Sequence, residues 1–151
     1  MKVFSPPTEY PHWDGLFIAG GITGCPDWQS ELIQKLSDTN LVIINPRRAN
    51  YINGTDIAKE QISWEFRHLV KALAVSFWFP KETICPITLF ELGRWSMNNK
   101  VIFVGCHPEY SRRFDVETQL NLSLPNTKVV YSINDLSTQI RDFYLRDSGE
   151  F

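Results

Sequence analysis

The sequence lacks the features of a disulfide-rich, metal-binding or membrane-spanning protein. Its 151 residues include only three cysteines, Cys25, Cys85 and Cys106. Their odd number and wide spacing argue against a disulfide framework and a CxxC metal site, so we expect three free thiols. No apolar run approaches the roughly 18 residues of a membrane-spanning helix, and the N-terminal segment lacks the apolar core of a secretion signal. We therefore expect a cytoplasmic protein with no membrane partner and no metal site.

The chain also lacks an excess of charge of either sign. Fifteen Lys and Arg residues against 17 Asp and Glu residues give a formal net charge of -2. This balance argues against binding of a nucleic-acid polymer as the main role, because such proteins carry a basic surface. A hydrophobic fraction of 43% excludes intrinsic disorder. The length suits one domain with its own core, so we treat residues 1–151 as a single domain.

Short apolar segments alternate with segments of helical periodicity. The predicted strands are residues 16–19, 41–44, 74–79, 101–104 and 129–131. The predicted helices are residues 28–36, a segment beginning at 55 or 56, residues 86–97, and residues 135–145. Asp27 and Asn134 are the expected caps of the first and last helices. Apolar strands that alternate with helices are typical of a parallel sheet covered on both faces. The expected fold is α/β: a three-layer flavodoxin-like or Rossmann-like sandwich with a five-stranded parallel sheet of order 2-1-3-4-5.

Such sheets bind ligands beyond the carboxyl ends of the strands, where the strand order reverses. Here that point lies between the first and third predicted strands. The candidate substrate-binding residues at this edge are Gly20, Gly21, Asn45, Phe79, His107, Arg112, Arg113 and Asp115. Gly20 and Gly21 would let a ligand approach the backbone; the alternative is that they serve only the strand geometry. Neither GxGxxG nor a P-loop motif is present, which argues against a dinucleotide fingerprint or a P-loop.

Glu91 is the candidate catalytic residue. It is the only acidic residue between Glu82 and Glu109, and its neighbours in the predicted helix are mostly apolar. A carboxylate in such surroundings is costly unless it has a partner or a function. The alternative is an ordinary ion pair with Arg94 or Lys100. Gly93 in the same helix costs about 1 kcal/mol relative to Ala, which suggests that something packs closely against the backbone there.

Two arginine pairs follow strands at the same edge. They are Arg47-Arg48 and Arg112-Arg113. Guanidinium groups there would suit an anionic substrate such as a nucleotide phosphate; the alternative for each pair is a solvated surface or a structural ion pair.

Another candidate pair is Glu65 and His68. Their i, i+3 spacing would allow them to pair on one helix face. The alternative is that the histidine is structural.

Three segments together carry a family resemblance: residues 16–22 (LFIAGGI), 77–80 (FWFP) and 90–93 (FELG). They resemble the nucleoside 2-deoxyribosyltransferase-like family over roughly residues 16–119. Residues 45–48, 61–68 and 110–119 resemble a transferase-like subgroup of it. The resemblance implies that Glu91 is the nucleophile that attacks the anomeric carbon of a nucleoside, that no cofactor is needed, and that the chain forms a homo-oligomer with sites near subunit interfaces.

Two positions depart from the family pattern. The transferases usually carry an aspartate six residues before the nucleophile, where this chain has Cys85, and another at the start of the third strand, where it has Leu73. Those aspartates hold the base and manage its proton. The possible substitutes are Asp14, Glu65, Glu82, His107 and Asp115, and the sequence does not choose among them.

The sequence therefore predicts a nucleoside 2-deoxyribosyltransferase or a nucleoside or nucleotide N-glycosidase. The alternative is a non-catalytic nucleotide-binding or sensing protein of the same fold. A third interpretation is a subunit whose exposed aromatic and arginine side chains contact another protein.

Overall fold

The computed structural model describes residues 1–49 and 54–147. The strands are β1 (Lys2–Phe4), β2 (Leu16–Gly20), β3 (Val42–Ile44), β4 (Ala74–Phe79), β5 (Val101–Cys106) and β6 (Val129–Val130). The helices are α1 (Trp28–Lys35), α2 (Thr55–Lys71), α3 (Pro86–Trp95), α4 (Arg113–Ser123) and α5 (Ile133–Asp147).

The strands form one parallel sheet of order β1-β3-β2-β4-β5-β6. The α/β class, the parallel sheet and the relative order of the five predicted strands are confirmed. The predicted number of strands is wrong, because β1 adds a sixth at the edge, with Lys2 opposite Val42. Its three residues include the exposed side chains of Lys2 and Val3, so no apolar run signals the strand in the sequence.

Helices cover both faces of the sheet, which gives the three layers expected. One face packs against α2, α3 and α4 through side chains that include Trp64, Leu92 and Leu120. The other packs against α1 and α5 through side chains that include Leu32 and Leu136. Burying one such side chain contributes about 1.5–3 kcal/mol. Among the described residues, no helix combines the length and apolarity needed to cross a bilayer.

Helices α1 and α3 begin at the predicted signals, whereas the cap of α5 differs from the prediction and helix α4 was not predicted. Asp27 caps α1 by accepting a hydrogen bond from the Ser30 backbone N–H at 3.2 Å, and Pro86 begins α3. The cap of α5 is not Asn134: Ser132 Oγ accepts the Asp135 N–H at 3.0 Å. Helix α4 is absent from the prediction because its apolar stripe is weak, with only Val116 and Leu120 buried.

Gly20 is required by the packing of two tryptophans. A Cβ atom at Gly20 would lie 2.4 Å from Trp28 Cζ2 and 2.4 Å from the Trp78 carbonyl oxygen. This supports the interpretation that Gly20 serves the strand geometry. Gly93 is the opposite case, since apart from its chain neighbours and the backbone of its own helix, no heavy atom of the described residues lies within 4 Å of its added Cβ. The expected close packing against Gly93 is therefore absent from the described chain.

We expect Gly20→Ala and Gly93→Ala to change stability in opposite directions. The first should lower the free energy of unfolding by about 1–3 kcal/mol, because the strand carbonyl cannot move away from the methyl group. The second should raise it by about 0.5–1 kcal/mol, because alanine is the better helix former and meets open space. Urea unfolding of the wild type and both variants measures the difference, and a Gly20→Ala protein as stable as the wild type would contradict this packing.

Candidate active site

A cleft of about 260 Å³ opens at the carboxyl edge of the sheet, between the ends of β2 and β4. We call it the switch-point cleft. Its lining comes from five parts of the chain: β2 with the loop after it, the turn after β3, α2, the β4–α3 loop, and α3. The lining residues are Phe17, Ala19, Gly20, Gly21, Ile22, Thr23, Pro46, Glu65, Thr83, Cys85, Pro86, Ile87, Thr88 and Glu91.

The β2–α1 loop is fixed by hydrogen bonds from α1. Trp28 Nε1 donates to the Gly21 carbonyl oxygen at 2.9 Å, and the buried Gln29 donates to the same oxygen at 3.5 Å. The Arg47 guanidinium donates to Gln29 Oε1 at 2.9 Å and to the carbonyl oxygens of Pro26 and Cys25 at 3.1 and 3.3 Å. Arg47 is therefore used to tie the turn after β3 to the start of α1.

Glu91 lies on the side of α3 that faces the cleft. The helix begins directly after β4, with Cys85 in the left-handed conformation (φ 52°) and Pro86 in its first turn. The carboxyl group is partly buried and accepts no hydrogen bond from any described residue. Burial raises the pKa of Glu91 to about 8, and the nearby Glu65 carboxylate adds to the shift.

The ion pair that would have made Glu91 structural does not form. The Arg94 guanidinium instead lies over the rings of Phe66, Phe90 and Trp95, at 5.2–5.8 Å. Lys100 Nζ donates to the carbonyl oxygens at the end of α2, at 2.9 and 2.6 Å. Both cations are therefore engaged elsewhere.

Glu65 is the second carboxylate of the cleft. Gln61 Nε2 donates to Glu65 Oε1 at 2.7 Å and to the Pro46 carbonyl oxygen at 2.8 Å. Gln61 Oε1 accepts a hydrogen bond from Arg48 Nε at 2.5 Å. Burial raises the pKa of Glu65, while the Gln61 hydrogen bond and the Arg48 charge oppose the rise. Of the five acidic or histidine residues considered as substitutes for the family aspartates, only Glu65 lines the cleft.

Arg48 is the arginine that contacts the hydrogen-bond network of Glu65. It lines a pocket that adjoins the switch-point cleft and shares Glu65, Ile22 and Pro46 with it. Its guanidinium also donates to Glu60 at 2.8 Å. The i, i+4 spacing of Gln61 and Glu65 is the sequence signal for this network, and the position of the Arg47-Arg48 pair after a strand predicted arginine side chains at this edge.

His68 does not pair with Glu65. Its Nε2 accepts the Tyr10 backbone N–H at 3.0 Å, and Nδ1 lies 2.8 Å from the Trp64 carbonyl oxygen. These two partners assign the proton to Nδ1. The ring is buried against Trp64, so His68 joins the N-terminal segment to α2 and the structural alternative holds.

The structure brings only part of the predicted site together. Gly20, Gly21 and Glu91 line one cleft, as the switch-point rule predicts. Asn45 and Phe79 lie at the ends of their strands but do not line it. Asn45 Oδ1 accepts the Arg47 N–H at 3.0 Å, and Phe79 is buried against Tyr110.

The residues after β5 lie away from the cleft, so the expectation that Arg112 or Arg113 faces it is wrong. Arg112 pairs with Asp115 at 3.4 Å on the surface. Arg113 donates to the Pro108 carbonyl oxygen at 3.0 Å and lies over the Tyr131 ring, just after β6. His107 accepts the Glu109 N–H at 3.1 Å. The physical reason is that α4 begins at Arg113 and runs beside β5 and β6, on the far side of β4 from β2.

The arrangement suits acid–base or nucleophilic chemistry on a small organic molecule. Two carboxyl groups in one partly buried cleft cannot both ionise freely, and the raised pKa of Glu91 favours its protonated form near neutral pH. Their surroundings differ, since Glu65 has a hydrogen-bond donor and a nearby guanidinium and Glu91 has neither. Within residues 1–49 and 54–147, no cluster of three or more His, Cys, Asp or Glu side chains could hold a metal ion.

The raised pKa of Glu91 predicts a pH-dependent stability. Between its unfolded pKa of 4.5 and its folded pKa of about 8, the folded state binds more protons, so stability falls as pH rises through this window. The Glu91→Gln variant has no carboxyl group to ionise here and avoids this loss. From the lower to the upper end of the window, its free energy of unfolding should therefore rise relative to that of the wild type by on the order of a few kcal/mol. Urea unfolding at a series of pH values measures the gain. Glu82→Gln, on the exposed surface, is the matched control; a gain for it equal to that of Glu91→Gln would contradict the assignment.

Comparison with known proteins identifies the family of the chain. The family model described as nucleoside 2-deoxyribosyltransferase like matches residues 14–110, which include the whole lining of the switch-point cleft. No protein with a curated description matches the chain significantly. Because the match extends over most of the chain, from the residues before β2 to those after β5, the chain belongs to the nucleoside 2-deoxyribosyltransferase-like family.

Proposed function

We propose that the protein cleaves or transfers the N-glycosidic bond of a nucleoside or nucleotide, with the Glu91 carboxylate as the nucleophile. The observation that carries this proposal is the placement of Glu91 and Glu65 in one cleft at the switch point of the sheet. The family supports a nucleoside as the bound small molecule. Hydrolysis and transfer differ only in whether water or a second base accepts the sugar.

The chemistry follows the double-displacement route of retaining glycosyl transfer. The ionised Glu91 attacks the anomeric carbon, the C–N bond breaks, and the base leaves with the bonding electrons. Glu65 supplies the proton that the leaving base needs. The acceptor then attacks the sugar ester, which releases Glu91, while Glu65 takes back a proton.

The proton must lie on Glu65 when the substrate reacts. In the free protein the proton is favoured on Glu91, because Glu65 accepts the Gln61 hydrogen bond and lies near the Arg48 charge, while burial raises the pKa of Glu91. A bound sugar that develops positive charge at the anomeric carbon attracts the ionised form of Glu91. In the proposed mechanism the proton therefore moves from Glu91 to Glu65 as positive charge develops at the anomeric carbon and the base leaves.

A non-catalytic nucleotide sensor is the second candidate. The observation that favours it is Cys85, which lines the cleft where the family carries an aspartate. A thiol whose pKa is raised by burial cannot replace a carboxylate in holding a base. In this case the protein binds nucleotides and releases no base.

We also propose that the chain forms a homo-oligomer, as the family resemblance implies. Apolar side chains on α2 and α3 are exposed in the single chain, with Ile62 at 65%, Ile87 at 64% and Phe90 at 65%. Exposed apolar patches of this kind mark interaction surfaces. A second copy that covers α3 would also narrow the switch-point cleft, because Ile87 lines it.

We expect Glu91→Gln to abolish base release and Glu65→Gln to reduce it by on the order of 10²–10⁴-fold, the range for a lost proton donor. The assay measures free base from a panel of nucleosides and their 5′-monophosphates by chromatography. Glu82→Gln, an exposed acidic residue of the β4–α3 loop, is the matched control and should keep wild-type turnover. A 2-fluoro-2-deoxy nucleoside should leave a sugar adduct on the wild type and none on Glu91→Gln, by intact mass.

Two results would decide against this mechanism. Full turnover by Glu91→Gln removes the nucleophile assignment. Binding without base release by the wild type favours the sensor; binding is measured by thermal unfolding, since a ligand at 100 times its dissociation constant stabilises by about 2.7 kcal/mol.

The oligomer is tested by light scattering. We expect the wild type to have a mass that is a multiple of 17.5 kDa and Phe90→Asp to shift toward the single chain, because a charge would be buried in the interface. Leu122→Asp, on the exposed side of α4, is the control and should keep the wild-type mass. A wild-type mass of one chain at every concentration would rule out the oligomer.

A further inference from the structure

Two cysteines 60 positions apart in the chain meet above Gly21. Cys25 lies in the β2–α1 loop and Cys85 directly precedes α3. A Cβ atom added at Gly21 would lie 2.7 Å from Cys25 Sγ and 2.8 Å from Cys85 Sγ. The two sulfurs therefore flank one point, in space that exists because residue 21 has no side chain.

The hydroxyl group of Thr83 joins the two thiols. Thr83 Oγ1 lies 3.1 Å from Cys85 Sγ and 3.5 Å from Cys25 Sγ. Cys85 Sγ also donates to the Thr83 carbonyl oxygen at 3.6 Å. These contacts hold the sulfurs together in the reduced protein.

We propose that Cys25 and Cys85 are a reactive dithiol pair that closes reversibly into a disulfide across Gly21, by exchange with a small disulfide of the glutathione class. The pair is a modification site at the rim of the switch-point cleft. Its formation does not depend on the proposed function of the cleft.

The order of reaction follows from exposure. Cys25 is partly exposed and Cys85 is buried, so the Cys25 thiolate attacks the small disulfide first. One glutathione leaves as a thiolate and takes up a proton, and a mixed disulfide remains on Cys25. The Cys85 thiolate then attacks the Cys25 sulfur and releases the second glutathione, which is likewise protonated. The protein loses two electrons and two protons, and the small disulfide gains them.

Closure of the pair acts on the cleft wall. Gly21 and Cys85 both line the cleft, and Cys85 is the left-handed residue from which α3, the helix of Glu91, begins. A covalent bond between the β2–α1 loop and this residue restrains two sides of the cleft at once. Under the proposed function, oxidation should lower base release at least tenfold, and dithiothreitol should restore it.

The first test counts thiols after the folded protein has been equilibrated with oxidised and reduced glutathione. The protein is then unfolded in denaturant, alkylated at once, and measured by intact mass and peptide mapping. We expect the wild type to lose two alkylatable thiols and to show a link between residues 25 and 85. Cys106→Ser, which removes a fully buried thiol of β5, is the matched control and should form the same link. Cys85→Ser should instead carry one glutathione on Cys25.

The second test uses phenylarsine oxide, a trivalent arsenical that binds two neighbouring thiols. The wild type and Cys106→Ser should each bind one equivalent that survives a monothiol and is removed by a dithiol. Cys25→Ser and Cys85→Ser should bind none that survives. Because the wild type and Cys106→Ser carry both decisive readouts, the result does not depend on how well the other two variants fold.

The outcomes separate this proposal from the proposed function. A wild type that keeps three alkylatable thiols and binds no phenylarsine oxide overturns the dithiol pair. If the disulfide forms and base release does not change, the proposed effect of the disulfide on the cleft is wrong. A protein that forms the link but never releases base, oxidised or reduced, overturns the catalytic proposal and leaves the pair supported.

Discussion

The position of Trp78 between two glycines determines how the central strands meet. In the sheet, Gly20 of β2, Trp78 of β4 and Gly105 of β5 lie side by side. A Cβ atom at Gly105 would lie 2.6 Å from the Trp78 ring, and one at Gly20 would overlap the Trp78 carbonyl group and the Trp28 ring. The indole groups of Trp28 and Trp78 thus fill the space that the glycines leave open. Because protein interiors are close-packed, this contact aligns the strand ends on which the cleft is built.

Gly21 connects this packing to the chemistry of the cleft. Its carbonyl oxygen accepts the Trp28 Nε1 hydrogen bond, its missing side chain makes room for Cys25 and Cys85, and it forms part of the cleft lining. One small residue therefore serves the packing below the sheet edge and leaves the space that the two thiols occupy above it. A larger residue at this position would separate the thiols and fill the cleft, so the packing and the site share a single steric constraint.

The carboxylate pair shows how burial shifts the pKa of acidic groups at a cost in stability. Two acidic groups in one cleft raise each other's cost of ionisation, and burial adds to it. The network of Gln61 and Arg48 offsets the cost for Glu65 alone. Under the proposed function, this difference between the two environments is what separates the acid, Glu65, from the nucleophile, Glu91.

The sequence by itself determined most of the elements and the relative order of five strands in the sheet. Apolar segments, caps and prolines act locally, so five strands, the class and the switch point could be predicted, and with them the edge that carries Glu91 and Gly21. Strand β1 and helix α4 escaped prediction because their apolar signals are short or weak and tertiary pairing decides them. Only the tertiary structure chose Glu65 among the acidic residues, turned Arg112 and Arg113 away from the cleft, and brought Cys25 to Cys85. These are contacts between residues distant in the chain, and their geometry depends on how whole elements pack, which no local pattern encodes.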